Sequence, residues 1–284
     1  MAGMIPPEIL GTVFALLSAA AWGTGDFSGG VATRGTDQYR VVFLMTLPGI
    51  LVIGLIAVGL GEPFPPPKDL FWAVCAGSCG TFGIASLYRG LSIGNAAIVA
   101  PTGAVVGAGL PIAFSSLKLG LPGTNVLLGF LLAIIGIWFV SRPGKVRTDG
   151  YDKGLKYGIA SGVCFGGYFI FMGQVQQGLV FGPITFAKTA SLVITAVILF
   201  SRREQISGFL SNPLALLAGV FDAGGNAFYM LARQHTRLDV AAVLSSMYPI
   251  VTVVLARLIL REKVSTAQWC GVALCMAAVA LITM

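Results

Sequence analysis

Charged side chains are scarce in this chain: Asp, Glu, Lys and Arg together make up only 10% of its 284 residues. Soluble domains carry about a quarter charged residues, so the composition excludes an ordinary water-soluble fold. Hydrophobic residues reach 56%, and the mean hydropathy is +0.88. The apolar runs are about 20 residues long and lack the alternation of polar and apolar positions that a β-barrel needs. The composition therefore predicts an all-α membrane protein.

Histidine is nearly absent, and cysteine is present without a pattern. The one histidine, His235, stands beside Arg233 and Arg237 in a predicted connection, where it is interpreted as a solvated end group. No Ser–His pair and no acid–histidine metal motif can therefore form inside a span. The five cysteines all fall in apolar runs, and an odd number makes no disulfide framework. These absences argue against an enzyme, a bound metal and a cofactor.

Blocks of like charge are also missing, although the formal net charge is +7. Lys and Arg stand singly or in pairs between apolar runs, which indicates charges that orient helices rather than a nucleic-acid surface. Counted over the connections, about thirteen basic residues fall on one side of the membrane and about four on the other. This bias predicts the central connection in the cytoplasm and both termini outside, in the cytoplasmic (inner) membrane.

What the chain does contain is a series of ten apolar segments, each long enough to cross a bilayer. The predicted spans are 8–32, 40–60, 69–91, 95–117, 122–141, 152–176, 182–201, 210–232, 238–259 and 265–284. The longest polar stretch lies at the midpoint. The chain is therefore divided into a first five-helix repeat at 1–142, a central basic loop at 143–152 and a second five-helix repeat at 153–284.

The two halves repeat each other at a nearly constant offset. A shift of about 143 residues lays Gly11, Ser18, Trp22 and Gly23 on Gly154, Ser161, Phe165 and Gly166, and a shift of about 142 lays Gly83 on Gly225. Five spans per half make the second copy enter the membrane from the opposite side. The predicted fold is thus an all-α polytopic membrane protein with ten transmembrane helices in two five-helix inverted-topology repeats, an arrangement typical of secondary transporters.

Three stretches carry a resemblance to a known family. They are Ala21-Trp22-Gly23 in the first span, the motif 94–101 before the fourth, and the motif 258–265 between the ninth and tenth. With the repeat, they resemble the ten-helix drug/metabolite transporter superfamily of the EamA type. The last motif departs from the family pattern at Arg261, which replaces a glycine. The resemblance implies a gradient-driven carrier of amino acids, quaternary amines, nucleotide sugars or drugs that works by alternating access.

Three charged residues lie well inside the spans: Asp26, Lys188 and Asp222. Each costs about 2.5–3.5 kcal/mol near the bilayer centre, so each is expected to face the interior or a partner. One interpretation pairs Lys188 with one of the acids as a structural ion pair. The other leaves one acid free to titrate or to hold a cationic group. Asp222 is the leading candidate for the midplane acid.

The position of Asp26 has two interpretations. It lies either nearer one mouth of the site or in water at the end of the first span, beside Arg34. Asp222, in contrast, begins a helix face that continues through Asn226 and Tyr229.

Aromatic residues inside the spans complete the candidate site. Rings that point at a common cavity suit a ring-bearing amino acid by stacking or a quaternary ammonium by cation–π attraction, while simple packing is the alternative for each one. The candidate substrate-binding residues are Trp22, Asp26, Phe165, Tyr168, Lys188, Asp222, Asn226, Tyr229 and Tyr248. Prolines at 101, 111 and 249 are expected to interrupt the fourth and ninth spans and to provide hinges.

The sequence therefore predicts a secondary transporter that moves an amino acid or a similar zwitterion across the membrane, with protons as one way to drive it. Lys188 would hold the carboxylate of the substrate, and an aspartate would hold its ammonium group. The alternatives are a quaternary-amine, choline or drug transporter, or a lipid flippase of the same fold. The expected partners are a small molecule, the lipid bilayer and protons, without nucleic acid, and the chain is expected to be a monomer or a homodimer.

Overall fold

The computed structural model of the chain describes residues 6–33, 35–93, 96–140, 151–204, 211–259, 261 and 265–283. Arg34, most of the predicted central loop, and parts of the 94–101 and 258–265 motifs lie outside the described residues. The described residues form eleven helices and no strand. The helices are α1 Pro7–Ala32, α2 Gln38–Gly59, α3 Pro67–Ile93, α4 Ala96–Leu119, α5 Thr124–Val140, α6 Tyr151–Met172, α7 Phe181–Ser201, α8 Pro213–His235, α9 Leu238–Ser245, α10 Tyr248–Ile259 and α11 Thr266–Thr283.

The predicted set of ten apolar spans is confirmed. Within the described residues, nine helical stretches are long and apolar enough to cross a membrane when α9 and α10 count together, and the 17-residue α5 is the tenth apolar helix. About 17 residues is the lower limit for crossing the hydrocarbon core. Large apolar side chains lie fully outward, among them Val58, Leu117 and Phe200, which are 80%, 88% and 86% exposed. An outer surface of this kind suits lipid and not water.

The prolines behave differently from one another. The expected interruption of the ninth span is confirmed, because α9 ends at Ser245 and α10 begins at Tyr248, directly before Pro249. The expected interruption of the fourth span is wrong, because α4 runs without a break past positions 101 and 111. A membrane helix tolerates proline where its neighbours and small local adjustments satisfy the freed backbone carbonyl.

The helices pack as a two-fold repeated arrangement. The contact of α1 with α8 in one half of the bundle corresponds to the contact of α6 with α3 in the other. The contact of α4 with α6 corresponds in the same way to the contacts of α9 and α10 with α1. α2 packs against α7, and α5 packs against α11. Exchanging the first five spans for the second five leaves this set of neighbours unchanged. The predicted inverted repeat therefore describes the packing of the whole bundle.

Two glycines allow the closest helix crossings, at equivalent places in the two repeats. A Cβ on Gly77 of α3 would lie 2.7 Å from the carbonyl carbon of Ala187 on α7. A Cβ on Gly219 of α8 would lie 2.6 Å from the carbonyl carbon of Met45 on α2. Backbone cannot yield to such a contact, so only glycine permits these helices to touch, as is common inside membranes.

Hydrogen bonds between helix ends define two faces of the bundle. The terminal face is the one where α1 begins and α11 ends. There the Glu62 carboxylate accepts the backbone N–H groups of Val180, Phe181 and Gly182 at 2.9–3.0 Å, which caps the start of α7. On the opposite face, Arg40 at the start of α2 forms an ion pair with Glu204 at 2.9 Å. Glu62 and Glu204 are about 142 residues apart, so the two acids are also repeat equivalents.

Candidate functional site

A cavity lies at the centre of the bundle, between the two repeats. Its empty volume, mouth included, is about 880 Å³. Walls come from α1 to α4, α6 to α8 and the turn between α9 and α10, whereas α5 and α11 contribute nothing to the cavity lining. All the predicted site residues except Tyr229 line this cavity: Trp22, Asp26, Phe165, Tyr168, Lys188, Asp222, Asn226 and Tyr248. The structure thus brings together residues that are more than 200 positions apart in the sequence.

The cavity lies on the pseudo-two-fold axis, because its lining residues occur as repeat pairs. Shifted by about 142 residues, the pairs are Trp22 with Phe165, Asp26 with Phe169, Val42 with Ile184, Met45 with Ala187, Thr46 with Lys188, Gly80 with Asp222, Ile84 with Asn226, and Ala104 with Ser246. The pairs match in position but not in chemistry. Every charged lining residue has an uncharged partner, so the charges belong to this particular site and not to the shared scaffold. A site at the repeat interface is where secondary transporters bind their substrates.

Lys188 and Asp222 neutralise each other inside the cavity wall. The Lys188 Nζ atom forms an ion pair with the Asp222 carboxylate, and both side chains are largely buried, at 10% and 16% exposure. Gly49 of α2 makes room for the lysine stem, because a Cβ at that position would lie 2.8 Å from Lys188 Cδ. The interpretation of Lys188 as half of a structural ion pair is confirmed, with Asp222 as its partner. Asp222 is therefore not a free acid.

Asp26 is the acid that remains. It lines the cavity from α1 and, among the described residues, makes no hydrogen bond and no ion pair. Of the two acids that Lys188 was expected to pair with, it reaches Asp222 and not Asp26. The alternative partner Arg34 lies outside the described residues.

Asn226 connects the ion pair to an aromatic ring. Its Nδ2 group donates to the backbone carbonyl of Asp222 at 2.5 Å, one helical turn earlier on α8. Its Oδ1 atom accepts a hydrogen bond from the Tyr168 hydroxyl of α6. These two bonds orient the amide and hold the ring of Tyr168 at the cavity wall. The residues form a fixed network rather than independent side chains.

Aromatic rings close one end of the cavity. The centroids of Trp22, Tyr168, Phe169 and Tyr229 lie 4.9–6.3 Å from one another. Trp22 lies flat on the backbone at Gly225, where an added Cβ would come within 2.6 Å of the indole Nε1 atom. Phe165 occupies the equivalent place against Gly83, with its ring 2.8 Å from the position of an added Cβ. Gly225 and Gly83 thus leave room for the two rings at equivalent positions of the two repeats.

Tyr229 was predicted to belong to the site, but it does not line the cavity. It is fully buried behind the cavity, and its hydroxyl donates to the Phe169 carbonyl at 2.9 Å. One turn later on α8, Arg233 donates to the carbonyls of Gly173 and Val175, beyond the end of α6. The helical spacing correctly placed Tyr229 and Arg233 on one face of α8. These two residues fasten α8 to α6 at the terminal face and do not line the cavity.

Several serines and threonines line the cavity but were not among the predicted site residues. Thr46 and Ser246 line the cavity, and Thr81 donates to the Ser191 Oγ atom at 2.7 Å between α3 and α7. Single serines and threonines are common in membrane helices and are not distinctive one by one. Applying the repeat offset to Lys188 would have pointed to Thr46. Across the described residues, no group of three or more His, Cys, Asp and Glu side chains is placed to hold a metal ion.

The comparisons with known proteins agree with this architecture. The sequence pattern of the EamA-like transporter family matches the chain twice, at residues 9–142 and 152–284. The chain belongs to the EamA-like transporter family. A relative from Synechocystis sp. (strain ATCC 27184 / PCC 6803 / Kazusa), named "Uncharacterized transporter sll1319", is 31% identical over 133 residues. That match covers 45% of this chain and 40% of the relative, so the chain spans under half the length of that protein.

A solved crystal structure has the same fold. It superposes with a TM-score of 0.75 over 96% of this chain and 98% of its own, at 17% sequence identity. At this identity the likeness concerns the fold alone. The family and the apolar helices identify the chain as a multi-pass membrane protein of the EamA-like transporter family.

Proposed function

We propose that this transporter carries a small organic cation, with Asp26 as the counter-charge that holds it. The observation that carries the proposal is the charge of the cavity. Its described lining has two acids and one base, and the base is already paired with Asp222. One negative charge, that of Asp26, is left over. A carboxylate that is half-buried inside a membrane span needs a cation or a proton, so a ligand with a single positive charge completes the site.

The ion pair also weighs against the zwitterion expected from the sequence. An amino acid would need Lys188 for its carboxylate, but that ammonium group is bound to Asp222. Taking one partner away from a buried ion pair costs about 3–5 kcal/mol, which the new contact would have to replace. An amine without a carboxylate avoids this cost. The quaternary-amine and drug alternatives therefore gain over the amino acid.

Aromatic faces support the same class of ligand. Trp22, Phe165, Tyr168 and Tyr248 all line the cavity that Asp26 enters. A cation over such a ring gains about 0.5–2 kcal/mol, with the larger values where water is excluded. Aromatic side chains with one carboxylate are the combination that organic ammonium groups favour. A ring on the ligand would gain further from stacking on Trp22.

The mechanism follows from the two-fold arrangement. Because the cavity lies between equivalent repeats, rocking of one repeat against the other opens it to one face at a time. A proton on Asp26 would neutralise the empty carrier, and exchange of that proton for a cation would couple the two movements. The basic-residue bias supports a cytoplasmic position for the face opposite the terminal face, in the cytoplasmic membrane.

Three ligands that differ only in charge test the proposal. Phenethylamine is a cation, phenylalanine a zwitterion and 3-phenylpropionate an anion, and all three carry the same ring. A ligand at 100 times its dissociation constant stabilises the folded protein by about 2.7 kcal/mol. We expect phenethylamine alone to raise the unfolding temperature of the purified protein, and Asp26→Asn to abolish that rise. Stabilisation by phenylalanine in preference to phenethylamine would restore the zwitterion hypothesis.

A further inference from the structure

The polar side chains of the cavity wall fall into two groups. The larger group is already hydrogen-bonded or ion-paired inside the protein, and its members are Thr46, Thr81, Tyr168, Lys188, Ser191, Asp222 and Asn226. The side chains of the smaller group make no hydrogen bond and no ion pair with any described residue, and its members are Trp22, Asp26, Ser246 and Tyr248. Free polar groups in a cavity are the ones that can orient a ligand.

The free polar side chains all lie on one wall of the cavity. Trp22 and Asp26 belong to α1, and Ser246 and Tyr248 lie where α9 gives way to α10, both of which pack against α1. The equivalent wall is formed by α6 and α4. There the repeat counterparts are all apolar, and they are Phe165, Phe169, Ala104 and Val106. The cavity therefore has one hydrogen-bonding wall and one apolar wall.

Two hydrogen bonds between helices set the register of the hydrogen-bonding wall. Nearer the terminal face, the Ser245 hydroxyl donates to the Ala15 carbonyl at 3.3 Å. Farther along, the Thr252 hydroxyl donates to the Gly23 carbonyl at 3.0 Å. At a rise of 1.5 Å per residue, these two contacts are about 12 Å apart along α1. The wall is thus long enough for polar groups at both ends of a small ligand.

Asp26 and Ser246 mark the two ends of this wall. Ser246 directly follows the residue of the first contact, and Asp26 lies about one turn beyond the second. Ser246 is 1% exposed and lines the cavity, yet its hydroxyl group is free. A hydroxyl in a membrane helix usually bonds a carbonyl one turn earlier, as Thr46 does. Ser246 stands instead in the turn between α9 and α10, with its hydroxyl unspent.

We propose that Ser246 is a specificity-determining residue, which hydrogen-bonds a hydroxyl group at the far end of the amine that Asp26 holds. The apolar body of the ligand lies between, against Phe165 and Phe169 of the other wall. The preferred substrates are then amines with a remote hydroxyl group and not plain hydrocarbon amines. A site built to bond a hydroxyl group rejects a ligand that lacks it, because a buried polar group is left unpaired. The inference rests on the function proposed above, since it takes Asp26 as the holder of the ammonium group.

Two amines of the same size test the inference. Tyramine carries a hydroxyl group at the far end of its ring, and 4-methylphenethylamine carries a methyl group there. We expect the natural protein in lipid nanodiscs to bind tyramine about twofold to tenfold more tightly, the effect of one neutral hydrogen bond. In Ser246→Ala this preference should disappear, while the affinity for 4-methylphenethylamine stays within about twofold. Isothermal titration calorimetry measures both affinities.

Ser245→Ala is the matched control. Its hydroxyl is spent on the Ala15 carbonyl outside the cavity lining, so this variant should keep the preference for tyramine. Equal affinities of the natural protein for the two amines, or a preference that survives in Ser246→Ala, would overturn the role of Ser246. The cation proposal would still stand in that case if Asp26→Asn loses both amines. Binding of neither amine by the natural protein, or full binding by Asp26→Asn, would overturn the cation proposal and this inference with it.

Discussion

Lys188 and Asp222 form an ion pair at the two positions where the first repeat has Thr46 and Gly80. The pair joins α7 to α8 in the second repeat, and its absence from the first is what makes the cavity electrically asymmetric. Because the pair engages Asp222, Asp26 is the acid of the cavity lining that has no ion-pair partner among the described residues.

The ion pair predicts a specific pattern of stability. Lys188→Thr leaves Asp222 buried without a partner and should reduce the free energy of unfolding by about 3–5 kcal/mol. Adding Asp222→Gly copies the Thr and Gly of the first repeat and removes the orphaned charge. We expect the double variant to recover part of the loss in a thermal unfolding assay. A double variant less stable than Lys188→Thr would contradict the pairing.

Trp22 packs directly against the backbone of Gly225, so a single methyl group added at position 225 is expected to clash with the indole ring. Gly225→Ala should push the indole away, because a Cβ would lie 2.6 Å from its Nε1 atom, and should lower stability by about 1–3 kcal/mol. Gly109→Ala on α4 is the control, since an added Cβ meets nothing within 4 Å. The control should be neutral or stabilising by up to about 1 kcal/mol. Equal effects of the two substitutions in thermal unfolding would count against the close packing of Trp22 on Gly225.

The Glu62 cap at the start of α7 makes a third prediction. Its carboxylate accepts three backbone N–H groups, which otherwise have no partner inside the helix. Glu62→Ala should therefore reduce the free energy of unfolding by about 0.5–2 kcal/mol. Glu8→Ala is a useful comparison, because Glu8 is also near a helix start but is exposed. If the two variants unfold at the same temperature, the cap contributes little.

Two buried tyrosines, Tyr229 of α8 and Tyr88 of α3, should respond to the same substitution in opposite ways. Tyr229→Phe loses a hydrogen bond to the Phe169 carbonyl and should cost about 0.5–1.5 kcal/mol of stability. Tyr88→Phe removes a buried hydroxyl that has no hydrogen-bond partner among the described residues, so stability should stay level or rise. Thermal unfolding of both variants under identical conditions is the measurement. A loss in Tyr88→Phe as large as that in Tyr229→Phe would mean that the Tyr88 hydroxyl is bonded in the resting protein.

Hydrophobic length and the repeat offset were sufficient to predict the spans and the two-fold arrangement, and all the predicted site residues except Tyr229 line the cavity. Charges inside a membrane span are rare, so Asp26, Lys188 and Asp222 could be selected without a structure. Which acid Lys188 would reach could not be predicted, because that depends on how α7 approaches α8 and on the space above Gly49. Helical periodicity alone also could not show that Tyr229 faces α6 while Asn226, one turn earlier, faces the cavity.

The positions of the prolines alone did not predict where the helices break. Pro249 adjoins a break between α9 and α10, whereas α4 continues past two prolines that looked equally disruptive. The difference lies in the surroundings of each helix and not in the residue itself. The sequence therefore locates possible hinges but cannot tell which ones form.

If the carboxylate of Asp26 binds the transported cation, its loss should stop transport. Counterflow of labelled phenethylamine into proteoliposomes measures this, with the natural protein, Asp26→Asn and the control Glu204→Gln, whose acid lies outside the cavity. We expect accumulation by the natural protein and by Glu204→Gln, and none above empty liposomes for Asp26→Asn. Accumulation by Asp26→Asn at the rate of the natural protein would show that Asp26 does not hold the cation.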